Sequence, residues 1–224
     1  MIKCIIIEAI LLEKRAESVT NMAIKNIILD IGNVLGHFCW ERVFTDLLDL
    51  HGEDFDRVAK ATVFSPHWIE LDRGVMPYDD ILKACISISP RDEDAIRKFF
   101  SHFGDIVDEY EYSVPWIKGL KDRGYKVYLL SNFGEVAFTK CRKNGNLSFV
   151  DLADGAMISY KIKMVKPDRD IYECFLETFS LKPEECLFFD DSLDNVKAAR
   201  MVGINAEQFV GYDKAQEDLD KWVK

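Results

Sequence analysis

Three apolar runs in this chain each stop on a residue with chemistry to offer. Ile27-Ile28-Leu29 runs into Asp30, "KVYLLS" (126–131) ends on Ser131 with Asn132 next, and "CLFFD" (186–190) ends on Asp190 followed by Asp191. A fourth stretch, "MVKPDRDIYE" (164–173), sets Lys166 just before a proline. An ionised carboxylate at the end of a buried strand is costly unless something there uses it. Each residue has an ordinary reading: an aspartate can cap a turn, Ser131-Asn132 can be a plain turn, and Lys166 can sit in water. Taken together they set one carboxylate, a hydroxyl, an ammonium and two further carboxylates along one edge. In an open parallel sheet that edge is where ligands bind.

Those residues need strands to hold them side by side. Ile24, Ile27, Ile28 and Leu29 read as a strand buried on both faces, and "INAEQFV" (204–210) predicts a last strand. Helical periodicities lie between the strands. Trp116 and Leu120 follow Pro115 and stop at Gly124; Ile171, Phe175 and Phe179 follow Pro167; Val196, Ala199 and Val202 follow Ser192 and stop at Gly203. This alternation predicts an α/β fold, a Rossmann-like parallel sheet with helices on both faces.

Residues 37–112 break the alternation. They show no convincing strand and four helical patterns, at 40–50, 53–62, 77–88 and 92–103, the last with an apolar stripe of Ala95, Ile96, Phe99, Phe100 and Phe103. The pattern predicts an inserted helical cap over 37–112 on a core formed by 22–36 and 113–224, with linkers near Gly36 and Val114-Pro115. Residues 1–21 are expected to be an N-terminal extension outside the fold, or an amphipathic helix on its surface. The apolar run there is interrupted by Glu8, too short to span a bilayer and without a cleavage site, so no membrane partner is expected.

Composition narrows the partners. With 224 residues, 48% of them hydrophobic, the chain can bury a sizeable core. A formal net charge of −10 argues against a nucleic-acid partner and permits a cation-dependent site. The six cysteines have no C-x-x-C pair or regular spacing, which suits free thiols in a reducing, cytoplasmic setting.

The set Asp30-x-Gly-Asn-Val, "LLSN" (129–132), "VKPD" (165–168) and "FFDDSLDN" (188–195) resembles the four ordered motifs of the haloacid dehalogenase-like hydrolase superfamily, over essentially the whole chain from Met22. The segment after the first motif resembles that superfamily's type-one helical cap. The words "GNV", "ELDRG" (70–74) and "KPDRDIYE" are most similar to bacterial sugar-phosphate phosphatases related to glucose-1-phosphate phosphatase. The resemblance implies Mg²⁺-dependent hydrolysis of a small phosphorylated metabolite, a sugar phosphate, by a monomer or homodimer. Asp30 would attack phosphorus and carry an aspartyl-phosphate. Asp30, Asp191 and the Gly32 carbonyl would hold Mg²⁺, with Asp190 bonding its waters. Ser131 would donate to a phosphoryl oxygen, Lys166 would offset transition-state charge, and Asn195 would hold Asp190 or Lys166. Asn132, Asn33, Arg42, Trp68 and Arg73 are the substrate-binding candidates; for Trp68 the plain alternative is packing within the cap, and for Arg42 a surface ion pair.

One motif is broken. Most phosphatases of this superfamily carry a second aspartate two residues after the nucleophile as general acid and base; here Gly32 stands there. Three ways out follow: a good leaving group such as the anomeric oxygen of a sugar 1-phosphate, a proton from a cap residue (His67, Glu70, Asp72 or His37), or a slow or inactive protein that only binds phosphorylated ligands. A haloacid dehalogenase also lacks that aspartate, but it needs no metal and characteristically shows no pair like Asp190-Asp191, which favours a phosphatase.

Overall fold

The computed structural model of the chain describes residues 23–222. The expectation for residues 1–21 falls outside them. In chain order the strands are β1 (Asn26–Leu29), β2 (Gly36–Phe38), β3 (Val107–Glu109), β4 (Lys126–Ser131), β5 (Gly155–Ile158), β6 (Cys186–Asp190) and β7 (Asn205–Gln208). The longer helices are α1 (Gly52–Ala61), α2 (Pro66–Arg73), α3 (Tyr78–Ile88), α4 (Glu93–Ser101), α5 (Ser113–Asp122), α6 (Glu135–Lys143), α7 (Arg169–Phe179), α8 (Leu193–Met201) and α9 (Tyr212–Trp222).

Five strands form one parallel sheet in the order β5-β4-β1-β6-β7. The first strand in the chain is therefore central, which is why its residues read as apolar on both faces. Side chains alternate between the faces. Ile28, Tyr128, Leu130 and Phe188 pack with Ile171, Tyr172 and Phe175 of α7 and Val196 of α8. Ile27, Leu29, Val127, Leu129 and Phe189 face the other way, onto Trp116, Ile117 and Leu120 of α5 and Leu219 of α9. The expected α/β layering is what the chain adopts.

The register sets the site. Leu29 stands beside Leu129 and Phe189, so one step further Asp30, Leu130 and Asp190 come into line at the carboxyl edge. The Asp30 amide donates to the Phe189 carbonyl at 3.0 Å, extending the ladder to the carboxylate itself.

Residues between β2 and β3 are helical, close to the expected spacing. Three features differ from the sequence reading. β2 and β3 pair antiparallel, Gly36 beside Glu109 and Phe38 beside Val107, forming a two-stranded stalk where no strand was expected. Three residues a side are too few for alternation to register in a sequence. Pro66–Arg73 is a full helix, outside the four helical patterns expected for this segment. Its proline is a favoured first-turn residue and Gly74, at φ 69°, ends it in the left-handed region. A third addition is β5, an edge strand whose opening glycine hid it. Among the described residues five cysteines are free, and no helix is long and apolar enough to cross a membrane.

Candidate active site

The carboxylates of Asp30, Asp190 and Asp191 each present an oxygen within 4.8 Å of the others. They come from two neighbouring parallel strands, so the convergence follows from the register. Three hard oxygen donors this close fit a divalent cation such as Mg²⁺, which takes one or two carboxylates and keeps several waters.

Lys166 lies beneath them. Its ammonium donates to Asp190 Oδ2 at 2.6 Å and to the Leu130 carbonyl at 3.0 Å, and sits 2.9 Å from Asp30 Oδ1. Three donors meet three acceptors. The residue is held from behind by Asn132, whose Oδ1 accepts from the Lys166 amide and whose Nδ2 donates to the Lys166 carbonyl, each at 2.8 Å. Burial works against the Lys166 ammonium, but Asp190 and Asp30 outweigh it and raise its pKa. Burial pushes the Asp30 carboxyl up to about 7, against the pull of Lys166 and with repulsion from Asp190. The two shifts compete for one proton, and the short contacts fit an ammonium between carboxylates. A bound cation would favour the ionised form of Asp30 further.

Other side chains hold the acids in place. Asn195 Nδ2 and the Ser192 amide both donate to Asp190 Oδ1 at 2.9 Å, bearing out the structural part expected for Asn195. Asn33, with a left-handed φ of 55°, spans the tight turn after β1: its Oδ1 accepts from the Phe38 amide at 3.1 Å and its Nδ2 donates to Asp191 Oδ2 at 2.9 Å. The Asn33 amide, expected to bind substrate, thus already orients an acid.

A cavity of about 190 Å³ opens over this edge. Asp30, Gly32, Asn33, Asn132 and Asp191 line one part of it, Asp72 contributes from α2, and the remaining wall is apolar, with Phe38, Trp68, Leu71, Ile106, Val107 and Phe133. Ser131 and Lys166 are buried next to the lining residues rather than in the wall. Trp68 both faces the cavity and packs on Phe99 and Phe103, so the plain and the functional readings of it coexist.

The structure does not bring Arg42 or Arg73 to the cavity. Arg42 is ion-paired with Asp108 across the β2–β3 stalk, and Arg73 reaches Asp168 at 3.1 Å and Glu70 at 3.3 Å. Each guanidinium is spent on carboxylates that stand near it only after folding. His37, His67 and Glu70 do not line the cavity either.

Ser159 escaped sequence reasoning. Its hydroxyl accepts from the Phe133 amide at 2.9 Å and donates to the Asp72 carbonyl at 2.6 Å, tying the end of α2 to the loop after β4. A serine following an unrecognised strand carries no signal of such a part.

A central strand ending on an acid, paired aspartates on its neighbour and a buried lysine between them form an acidic site that a divalent cation fits. A family model for haloacid dehalogenase-like hydrolases matches residues 24–203, and the chain belongs to that family. Its relatives include phosphatases. It is 28% identical over 80% of its length, and 87% of the relative's, to a sesquiterpene phosphatase of Aspergillus oryzae. It is 24% identical over 83% of its length, and 91% of the relative's, to a D-ribitol-5-phosphate phosphatase of Bacteroides thetaiotaomicron. Among solved structures, a family enzyme from Bacteroides thetaiotaomicron in complex with magnesium and inorganic phosphate superposes with a TM-score of 0.71 at 21% identity, covering 87% of this chain and 99% of that one.

Proposed function

We propose that this chain is a Mg²⁺-dependent phosphatase that hydrolyses a small phosphorylated metabolite in the cytoplasm, through an aspartyl-phosphate on Asp30. The observation that carries the reading is the meeting of the Asp30, Asp190 and Asp191 carboxylates within 4.8 Å of one another, with the Lys166 ammonium against the first two. In that reading Asp30, Asp191 and the Gly32 carbonyl would hold the cation. When bound it neutralises the phosphoryl oxygens, so that an anionic nucleophile can approach an anionic ester. Asp30 attacks phosphorus in line, Lys166 keeps Asp30 ionised and offsets charge in the transition state, and Asn132 fixes Lys166 for that task. The segment 37–112 acts as the cap that closes over the ester.

Two observations weigh on the organic group. The D-ribitol-5-phosphate phosphatase among the relatives supports a sugar or polyol phosphate, the class the sequence motifs favour. The cavity wall supports an ester with an apolar face: aromatic and aliphatic side chains build it, and neither of the arginines taken as substrate-binding candidates is there. The wall belongs to this chain itself, and we rank it above the relative. Phosphate release from matched sugar and aryl or alkyl phosphates, with and without Mg²⁺, tests both points. Loss of all release in Asp30→Asn and under chelation is expected, with lower KM for the apolar esters. Phosphate release that survives chelation would overturn the Mg²⁺ dependence.

A further inference from the structure

Gly32 leaves the position of the family's usual proton carrier without a side chain, and a Cβ built there has open space around it. Some other group has to protonate a poor leaving group. Three ionisable residues line the cavity: Asp30, Asp191 and Asp72. The first is the nucleophile and the second a cation ligand in the reading above, on which this inference rests. We propose that Asp72 is the acid and base of this site, donating a proton to the leaving oxygen and then accepting one from the attacking water.

The placement of Asp72 fits that work. It is 9% exposed and, among the described residues, forms no ion pair with a lysine, arginine or histidine. The neighbouring cations are engaged elsewhere: Arg73 with Glu70 and Asp168, and Lys163 with the Gly74 carbonyl at 2.6 Å. The charged groups acting on its carboxyl are Asp30, which raises its pKa, and Lys166, which together with the Gly134 backbone N–H lowers it. Its backbone is pinned, since Ser159 Oγ donates to its carbonyl at 2.6 Å. The adjoining Leu71 lies so close to Gly134 that a Cβ there would meet Leu71 at 3.1 Å. The end of α2 is thereby locked onto the loop that follows Ser131. A buried carboxyl without a cation favours its protonated form. Burial first, with Asp30 adding repulsion, pushes it up to about 7, in the range useful to an acid at neutral pH.

The steps balance. Asp30 Oδ bonds to phosphorus as the bond from phosphorus to the leaving oxygen breaks; that oxygen takes the Asp72 proton and departs as the alcohol. Water then bonds to phosphorus, gives one proton to the Asp72 carboxylate, and the bond from phosphorus to Asp30 breaks. Hydrogen phosphate leaves, and both carboxyl groups return to their starting states.

The test compares leaving groups. Asp72→Asn, nearly the same in shape, is assayed on an alkyl phosphate and on p-nitrophenyl phosphate, whose leaving oxygen needs no proton. The expected result is a loss of about 10²–10³-fold in kcat/KM for the alkyl ester against less than about 5-fold for the aryl ester, the size a positioned acid contributes. Asp72→Glu should recover part of the alkyl activity. Equal losses on both esters, or wild-type turnover of the alkyl ester, would overturn the assignment. Asp30→Asn, run beside it, reports on the nucleophile alone. A dead Asp30→Asn with an unaffected Asp72→Asn removes Asp72 and leaves the phosphatase standing.

Discussion

The Lys166 ammonium sits 2.6 Å from Asp190 Oδ2 and 2.9 Å from Asp30 Oδ1, with side chains 1%, 0% and 9% exposed. One buried cation therefore holds two buried anions from adjacent strands, and the cluster is stable only while it is complete. Removing one partner of a buried ion pair leaves an uncompensated charge, a far larger loss than the net worth of the pair.

Lys166→Met, which keeps most of the volume, is expected to lose about 3–5 kcal/mol of unfolding free energy at pH 8. Without the ammonium the Asp30 carboxyl, already raised by burial, titrates higher still in the folded chain. The penalty is then absent below the unfolded value and grows as pH rises through the folded one. Urea titrations at pH 5 and pH 8 in the absence of metal check this, and an equal loss at both would contradict it.

Metal binding should register as stability independently of turnover. Mg²⁺ at about 100 times its dissociation constant adds about 2.7 kcal/mol to the folded state, a rise of about 5–10 °C in Tm for a chain of this size. Asp191→Asn removes a donor that Asn33 holds at 2.9 Å and should abolish most of that rise. Differential scanning calorimetry with Mg²⁺ and with chelator measures both. An unchanged Tm in wild type on adding Mg²⁺ would count against a cation at this cluster.

Asp72 links function to stability through pH. Its carboxyl is raised from 3.8 to about 7 in the folded chain, burial being the main cause. A raised acid contributes fully below pH 3.8 and loses that contribution as pH rises through about 7, where ionising it inside the fold is costly. Asp72→Asn stays neutral throughout. It should match wild type near pH 4 and be more stable, by on the order of a few kcal/mol, at pH 8. Denaturation curves of the two proteins across that range give the answer; a variant less stable than wild type at pH 8 would show that the carboxylate is held by something other than the groups named.

Much of this was legible before any coordinates. Strands announced themselves where apolar runs ended on Asp30, Ser131 and Asp190, because a buried parallel strand must be apolar on both faces. The helices α5, α7 and α8 were legible in their apolar periodicity, with Ser192 as the N-cap of α8 and Gly124 and Gly203 just past the ends of α5 and α8. The prolines were less exact: α5 starts at Ser113, ahead of Pro115, and Pro167 lies before the Asp168 N-cap of α7. The stalk strands were not readable, since three residues hold no period. The helix Pro66–Arg73 was half visible in its proline and in the glycine that follows it. Arg42 and Arg73 misled because an arginine's reach is settled by which carboxylate folding places beside it, here Asp108 and Asp168.

By itself the sequence determined the kinds of group present and the strand ends that carry them, since burial and alternation constrain which residue types a parallel sheet accepts. It also exposed the gap at Gly32. Which residue stands across that gap was decided only by tertiary structure. Asp72 lies 40 positions further along, on a helix whose end is held by Ser159 and seated on Gly134. Nothing in the spacing of those three residues foretells their meeting, because it depends on how a helical insertion packs against loops of the sheet, and packing is a property of surfaces brought together rather than of order along a chain.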